Sequence, residues 1–231
     1  MRHALFLVKG FHLRSRIHRV FVKEASVLVC DPSVPIEAVR EVNPDATALA
    51  YFGSHMIPAY GENSTFYQSL REVLAPHRDV AAGNDSYGNY ELRLDFDTYK
   101  DYADWINNEP NVKKYDGKYL DELWGLPPFH WIERTGRSAQ DIHFRWTQLM
   151  AYWTNLMGGN RIANIGRTRP GSSVRMDAIS VEADHIAANG TKESLWQFCQ
   201  SSKPEWNIAW GVPDDHPILV PDVVMPGRIL P

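Results

Sequence analysis

Short apolar runs alternate along this chain with segments whose apolar positions recur every three to four residues. The short runs predict strands over residues 26–30, 47–52, 117–122, 161–166, 178–183 and 207–211, with weaker signals at 79–83 and 218–220 and an alternative first strand at 4–8. The longer segments predict helices. Ser138 caps one that runs to Met157, with Ile142, Trp146, Leu149, Met150, Trp153 and Leu156 on one face and Gly158-Gly159 as its stop. Ser64 opens another that presents Phe66, Tyr67, Leu70, Val73 and Leu74 and ends before Pro76. Pro35, Asp97 and Thr191 open three more. Apolar strands separated by amphipathic helices predict βα units around a parallel sheet.

Side chains alternate between the two faces of a strand. Over 117–121, Gly117, Tyr119 and Asp121 share one face, and Lys118 and Leu120 the other. Over 178–182, Ala178, Ser180 and Glu182 share one face, and Ile179 and Val181 the other. Small and polar positions opposite branched apolar ones are what a barrel strand presents to its interior and to its helices. That parity points Asp121 and Glu182 inward at the carboxyl ends of their strands, where barrel enzymes carry their chemistry. Lys118 breaks the pattern on the outer face and is expected to snorkel past a helix. The expected fold class is therefore α/β, a (β/α)8 TIM-type barrel, complete or stopping short at its carboxyl-terminal end. One domain is expected over residues 1–231, with an irregular tail from about residue 212, rich in proline at 213, 217, 221, 226 and 231. A single barrel fits the 231 residues, since that fold begins near ~200.

Two inward carboxylates can divide glycoside hydrolysis between them. One, protonated, gives its proton to the leaving oxygen; the other, ionised, acts as nucleophile or as base on water. Glu182 is the expected acid and Asp121 the expected nucleophile or base, with the roles interchangeable from sequence alone. Glu122 falls on the opposite face of a regular strand and is the reserve catalytic candidate, should the strand bend at its end. The plain alternative is that Asp121 caps a loop and Glu182 pairs with a cation such as Arg167. A carboxyl separation of about 5–5.5 Å would predict retention of configuration, and about 6.5–9.5 Å inversion.

Here the sequence resembles a family. Asp116-Gly117-Lys118-Tyr119-Leu120-Asp121 resembles the fourth-strand signature of glycoside hydrolases of the (β/α) barrel superfamily, in particular the group related to α-galactosaminidase-like and amylase-like barrels. Residues 44–52, 94–105, 161–166 and 181–182 resemble, in order, that group's second strand, the stretch before its Asp-Gly motif, and its fifth and sixth strands. The resemblance spans roughly residues 25–211. It implies a barrel acting on a polysaccharide, with Asp121 and Glu182 catalytic and Tyr51, Asp95 and Asn164 lining the cleft. Tyr119 stands where a chitinase-type strand carries an acid, so substrate-assisted N-acetyl chemistry is not implied.

Aromatic residues make up 12% of the chain, with eight Trp. Flat rings stack on sugars, although core packing is the ordinary role of a Trp. Trp124, Trp131 and Trp210 lie at or just after strand ends, with Trp124 and Trp210 the best-placed sugar platforms. His55, His130, His143, His185 and His216 show no metal-ligand spacing, so neither metal nor cofactor is expected. Phosphate-loop and serine-elbow motifs are absent from the sequence. Net charge is −4, which argues against a nucleic-acid partner, and the basic group Arg14, Arg16, His18, Arg19 and Lys23 reads as a solvated helix face. The two cysteines, Cys30 and Cys199, are expected to be free buried thiols. The apolar run at the start is too short for a signal peptide and no stretch approaches the ~18 residues of a membrane span, so a soluble chain with no membrane partner is expected. Oligomeric state is not legible. The alternative to a hydrolase is a non-catalytic carbohydrate-binding protein on the same scaffold, which needs no acid pair.

Overall fold

The computed structural model describes residues 3–59, 64–84, 88–123, 129–164, 178–182 and 206–210; for 3–7, 129–130, 162–164, 178–182 and 206–210 it describes the backbone alone. In chain order the elements are β1 (His3–Val8), α1 (Gly10–Arg14), α2 (Arg16–Glu24), β2 (Ala25–Cys30), α3 (Ile36–Val42), β3 (Thr47–Gly53), β4 (Met56–Ile57), α4 (Thr65–Leu74), β5 (Tyr90–Glu91), α5 (Phe96–Asn108), β6 (Gly117–Asp121), α6 (Phe129–Thr135), α7 (Ala139–Leu156), β7 (Asn160–Asn164), β8 (Ala178–Glu182) and β9 (Trp206–Trp210). Seven strands form one parallel sheet in the order β1-β2-β3-β6-β7-β8-β9. Each new strand of this sheet joins the same edge, so the winding never reverses. Among the described residues β1 and β9 are the two edges of the sheet.

Both sides of the central strands are covered: Leu28, Val29, Ala48, Leu49, Ala50, Tyr119 and Leu120 are buried. This is why these strands read as unbroken apolar runs. The register Phe52↔Leu120 and Leu120↔Ala163 defines the helix-covered side. There the Phe52 ring meets Tyr102 of α5 edge-on, and Tyr102 donates to Gly53 O at 3.0 Å. Lys118 and Arg161, paired in register on β6 and β7, lie buried on the same side. They serve the open carbonyls of the α7 C-terminus: Arg161 donates to Thr154 O at 3.1 Å and Met157 O at 2.9 Å, and Lys118 donates to Gly158 O. Cations suit that negative helix end. Burial, and then the charge of Arg161, lower the Lys118 ammonium to about 8.

Capping follows the sequence in part. Ser138 accepts from Asp141 N at 3.1 Å, as its position predicts. The α5 cap is Asp95 rather than Asp97: Asp95 Oδ1 accepts from Thr98 N at 2.8 Å and from Thr98 Oγ1 at 2.6 Å, and the helix begins at Phe96. Residues 79–83 form a turn, not a strand, because Asp79 Oδ1 takes the Ala81 and Ala82 N–H groups at 3.0 Å and Gly83 turns to φ 72°. The α1–α2 basic group is exposed apart from its packing residues Leu13 and Val22, and Cys30 is a buried free thiol. Cys199, the helix expected from Thr191, the strand expected over 218–220 and the tail from 212 lie outside the described residues.

Two side chains, Asp116 and Asn43, tie the amino-terminal ends of the strands. Asp116 Oδ2 pairs with Arg40 at 2.5 Å and accepts from Ala48 N at 2.7 Å. Asn43 donates to Val22 O and Ala25 O at 2.8 Å each, closing the end of α2. Beside them Gly117 faces β7 so closely that a Cβ would lie 2.8 Å from Asn160 O. Gly117→Val is therefore expected to cost about 3 kcal/mol by overpacking, read as a lower urea midpoint at unchanged slope; an unchanged midpoint would refute this tight approach.

Candidate active site

Register brings the predicted face together. Tyr51↔Tyr119, Tyr119↔Ile162, Ile162↔Ala178 and Ala178↔Trp206 form one rung across five strands. Every second residue from that rung lies on the same face. Tyr51, Asp121, Asn164, Glu182 and Trp210 therefore occupy one face toward the carboxyl ends of β3, β6, β7, β8 and β9, and Glu182 pairs in register with Trp210. Asp121 is partly exposed there. Tyr51 donates its hydroxyl to Asp121 Oδ2 at 2.6 Å, a short bond of the charge-assisted kind. Its ring stacks on the buried Tyr119 ring, 6.1 Å between centroids and 17° from parallel, which fixes the direction of the hydroxyl. Asp121 Oδ1 accepts from Glu122 N at 2.9 Å, so each carboxylate oxygen has a donor.

Glu122 leaves the strand with φ 57°, the left-handed region that a non-glycine residue occupies only when held there. Its carbonyl accepts from Ser54 Oγ at 2.8 Å, and its carboxylate lies 2.8 Å from His55 Nε2. On the other side of the ring, His55 Nδ1 lies 2.7 Å from Glu91 Oε2, which also accepts from Trp131 Nε1 at 2.8 Å. Glu91 is fully buried and His55 2% exposed. Burial alone would drive the His55 ring neutral, but the hydrogen bonds and charges of Glu122 and Glu91 outweigh it and raise the ring to about 10. A carboxylate oxygen thus faces each ring nitrogen: Nδ1 is hydrogen-bonded to Glu91, and Nε2 makes a close ion-pair contact with Glu122. Among the described residues no group of His, Cys, Asp and Glu is arranged to hold a metal ion.

Other predicted residues have different surroundings. Asp95, besides capping α5, pairs with Arg93 Nε at 3.0 Å. Trp124 lies outside the described residues, as do His185 and His216. Trp131 is not a sugar platform: it is fully buried and spends its N–H on Glu91. From sequence, His55 is named only among histidines without metal-ligand spacing, and Glu91 is not named. A signal existed for the first, since Ser54-His55 directly follows β3 at its carboxyl end. None existed for Glu91, which sits in a two-residue strand paired with β4.

The parallel sheet with this carboxyl-edge cluster has counterparts among solved structures. The glycoside hydrolase domain of PelA from Pseudomonas aeruginosa superposes with a TM-score of 0.54 at 13% identity, over 84% of this chain and 79% of that one. This chain shares the fold of a glycoside hydrolase domain. A point variant of the same domain gives 0.50 at 14% identity, over 77% of this chain and 66% of that one, so this chain spans about two thirds of its length. Aspergillus fumigatus Ega3 in complex with galactosamine is more distant, at 0.47 and 13% identity over 94% of this chain and 78% of that one. The chain matches no protein-family profile and no curated protein sequence. Among the described residues, no helix is long and apolar enough to cross a membrane.

Proposed function

We propose that this chain is a glycoside hydrolase that cleaves glycosidic bonds of a polysaccharide with two carboxylates, on a scaffold that closes as a (β/α) barrel. The observation that carries the reading is the shared face of Tyr51, Asp121, Asn164, Glu182 and Trp210, together with the 2.6 Å Tyr51–Asp121 bond. A hydroxyl donated to Asp121 favours its ionised form, which suits a nucleophile or a base on water. Glu182, two strands away, is then the acid that protonates the leaving oxygen. Glu122, engaged by His55, supports the pair instead of supplying that proton. Asn164 and Trp210 flank the acids as sugar contacts, the Trp by stacking, with Trp124 and Asp95 completing the cleft. The fold shared with PelA's glycoside hydrolase domain supports the reaction class and assigns no residue.

Reducing-sugar release from a broad polysaccharide panel tests the reading, with wild type beside Asp121→Asn and Glu182→Gln. Release by wild type that is lost in both variants, with circular dichroism unchanged, upholds it. No release by wild type, with sugar binding retained in all three proteins, replaces it with a carbohydrate-binding protein. Tyr51→Phe is a finer probe. Removing a hydrogen bond to a charged group costs about 1.5–3 kcal/mol, so kcat should fall by about 10–100-fold while KM changes little. A Tyr51→Phe protein as active as wild type would remove Tyr51 from the mechanism.

A further inference from the structure

The tips of β3 and β6 are tied by more than strand pairing. Ser54 N donates to Asp121 O at 3.1 Å and Ser54 Oγ to Glu122 O at 2.8 Å, while His55 Nε2 meets the Glu122 carboxylate at 2.8 Å. Two successive residues thus grip two successive residues. His55 is itself anchored from behind by Glu91 of β5, which Trp131 of α6 holds in turn, and its ring meets Trp146 of α7 at 5.9 Å and 62°. The grip reaches the reacting group through one bond. Glu122 N–H donates to Asp121 Oδ1, so the left-handed turn at Glu122 orients the Asp121 carboxylate.

We propose that His55 is a positioning residue for this site: held by Glu91, it keeps Glu122 in its left-handed turn and, through the Glu122 N–H, fixes the Asp121 carboxylate against Tyr51. The inference rests on the hydrolase reading above. It gives His55 no part in proton transfer, because each ring nitrogen already faces a carboxylate oxygen. It also explains why a buried charge is maintained this close to the cleft. An imidazolium between two carboxylates is a fixed strut, where a neutral ring would serve only one of them.

Two isosteric variants separate positioning from packing. Gln can set its amide N–H near the Nε2 position and keep the donor to Glu122; Asn sets its amide near Nδ1 and keeps only the Glu91 contact. His55→Asn is expected to lose ~100-fold in kcat with KM within ~3-fold, the scale of a misplaced reacting group, and His55→Gln to retain at least ~10-fold more kcat than His55→Asn. A purely structural role gives the opposite order, since the deeper Glu91 contact is the one Asn preserves. The second readout needs no activity. In the full chain labelled with 15N-histidine, the His55 ring is expected to keep both N–H protons at pH 8 in wild type and to lose one there in Glu122→Gln. A ring neutral at pH 7 in wild type, or equal kcat in the two His55 variants, overturns the proposal. If wild type cuts no polysaccharide yet its ring stays doubly protonated at pH 8, the hydrolase reading fails, and the clamp stands as a device that orders a binding cleft.

Discussion

Asp121→Asn is expected to lower kcat by about 10²–10⁴-fold, the usual worth of a positioned acid, base or nucleophile. The exchange keeps the shape of the side chain. Its amide oxygen can still accept one of the two donors, Tyr51 OH or Glu122 N, and its NH2 can face the other through a rotated hydroxyl. Fold and sugar affinity should therefore survive, while the negative charge that attacks carbon or activates water is gone. Single-turnover kinetics separates this from a binding defect: the chemical step slows while saturation stays near the wild-type concentration. If the wild type releases sugar and Asp121→Asn releases it equally fast, the nucleophile or base is elsewhere. Glu122, one residue on and turned back toward His55, is then the next acid to test.

Part of this site was legible in the chain. The parity of residues 117–121 was legible because a strand buried on both sides holds a strict two-residue period, and in-register parallel pairing carries that period to the neighbouring strands. Tyr51, Asp121, Asn164, Glu182 and Trp210 share a face for that reason alone. What stayed illegible is what depends on long-range pairing. Glu91 has no local signature, since its role comes from meeting His55 and Trp131 across elements far apart in sequence. Lys118 breaks the apolar side of its strand because the end of α7 offers carbonyls to it and to Arg161 beside it. Asp95 and Asp97 are both plausible caps by residue type, and the Thr98 hydroxyl decides between them by adding a second bond to Asp95. Asp116, the first residue of the motif that resembles a hydrolase signature, serves Arg40 and the β3 backbone, so the motif joins a structural acid at one end of β6 to the candidate catalytic acid at the other.

Glu91→Ala is expected to cost ~3–5 kcal/mol of stability, because it strips one partner from a buried ion pair. Glu91 is fully buried and serves two donors at one oxygen; without it the Trp131 N–H and the His55 Nδ1–H both face a cavity. Glu91→Gln should cost less, since its amide oxygen still accepts one of them. The pH dependence isolates the charge. A ring raised from 6.5 to about 10 in the folded chain contributes stability that is fully present below 6.5 and is lost as pH rises through about 10. Over that interval the folded chain holds one more proton than the unfolded one, so stability falls by about 1.4 kcal/mol per pH unit from this group. Lys118 acts with the opposite sign: lowered to about 8, it releases its proton in the folded chain first, so its contribution rises with pH between about 8 and its unfolded value of 10.5. Between pH 7 and 8 the fall from His55 outweighs the rise that Lys118 begins to contribute. Urea midpoints there should drop for wild type and drop less for Glu91→Gln, in which a single carboxylate no longer holds the ring fully charged through pH 8. A wild-type midpoint that stays level or rises across the window would mean that His55 is neutral, and would remove the charged strut on which the orientation of Glu122 depends.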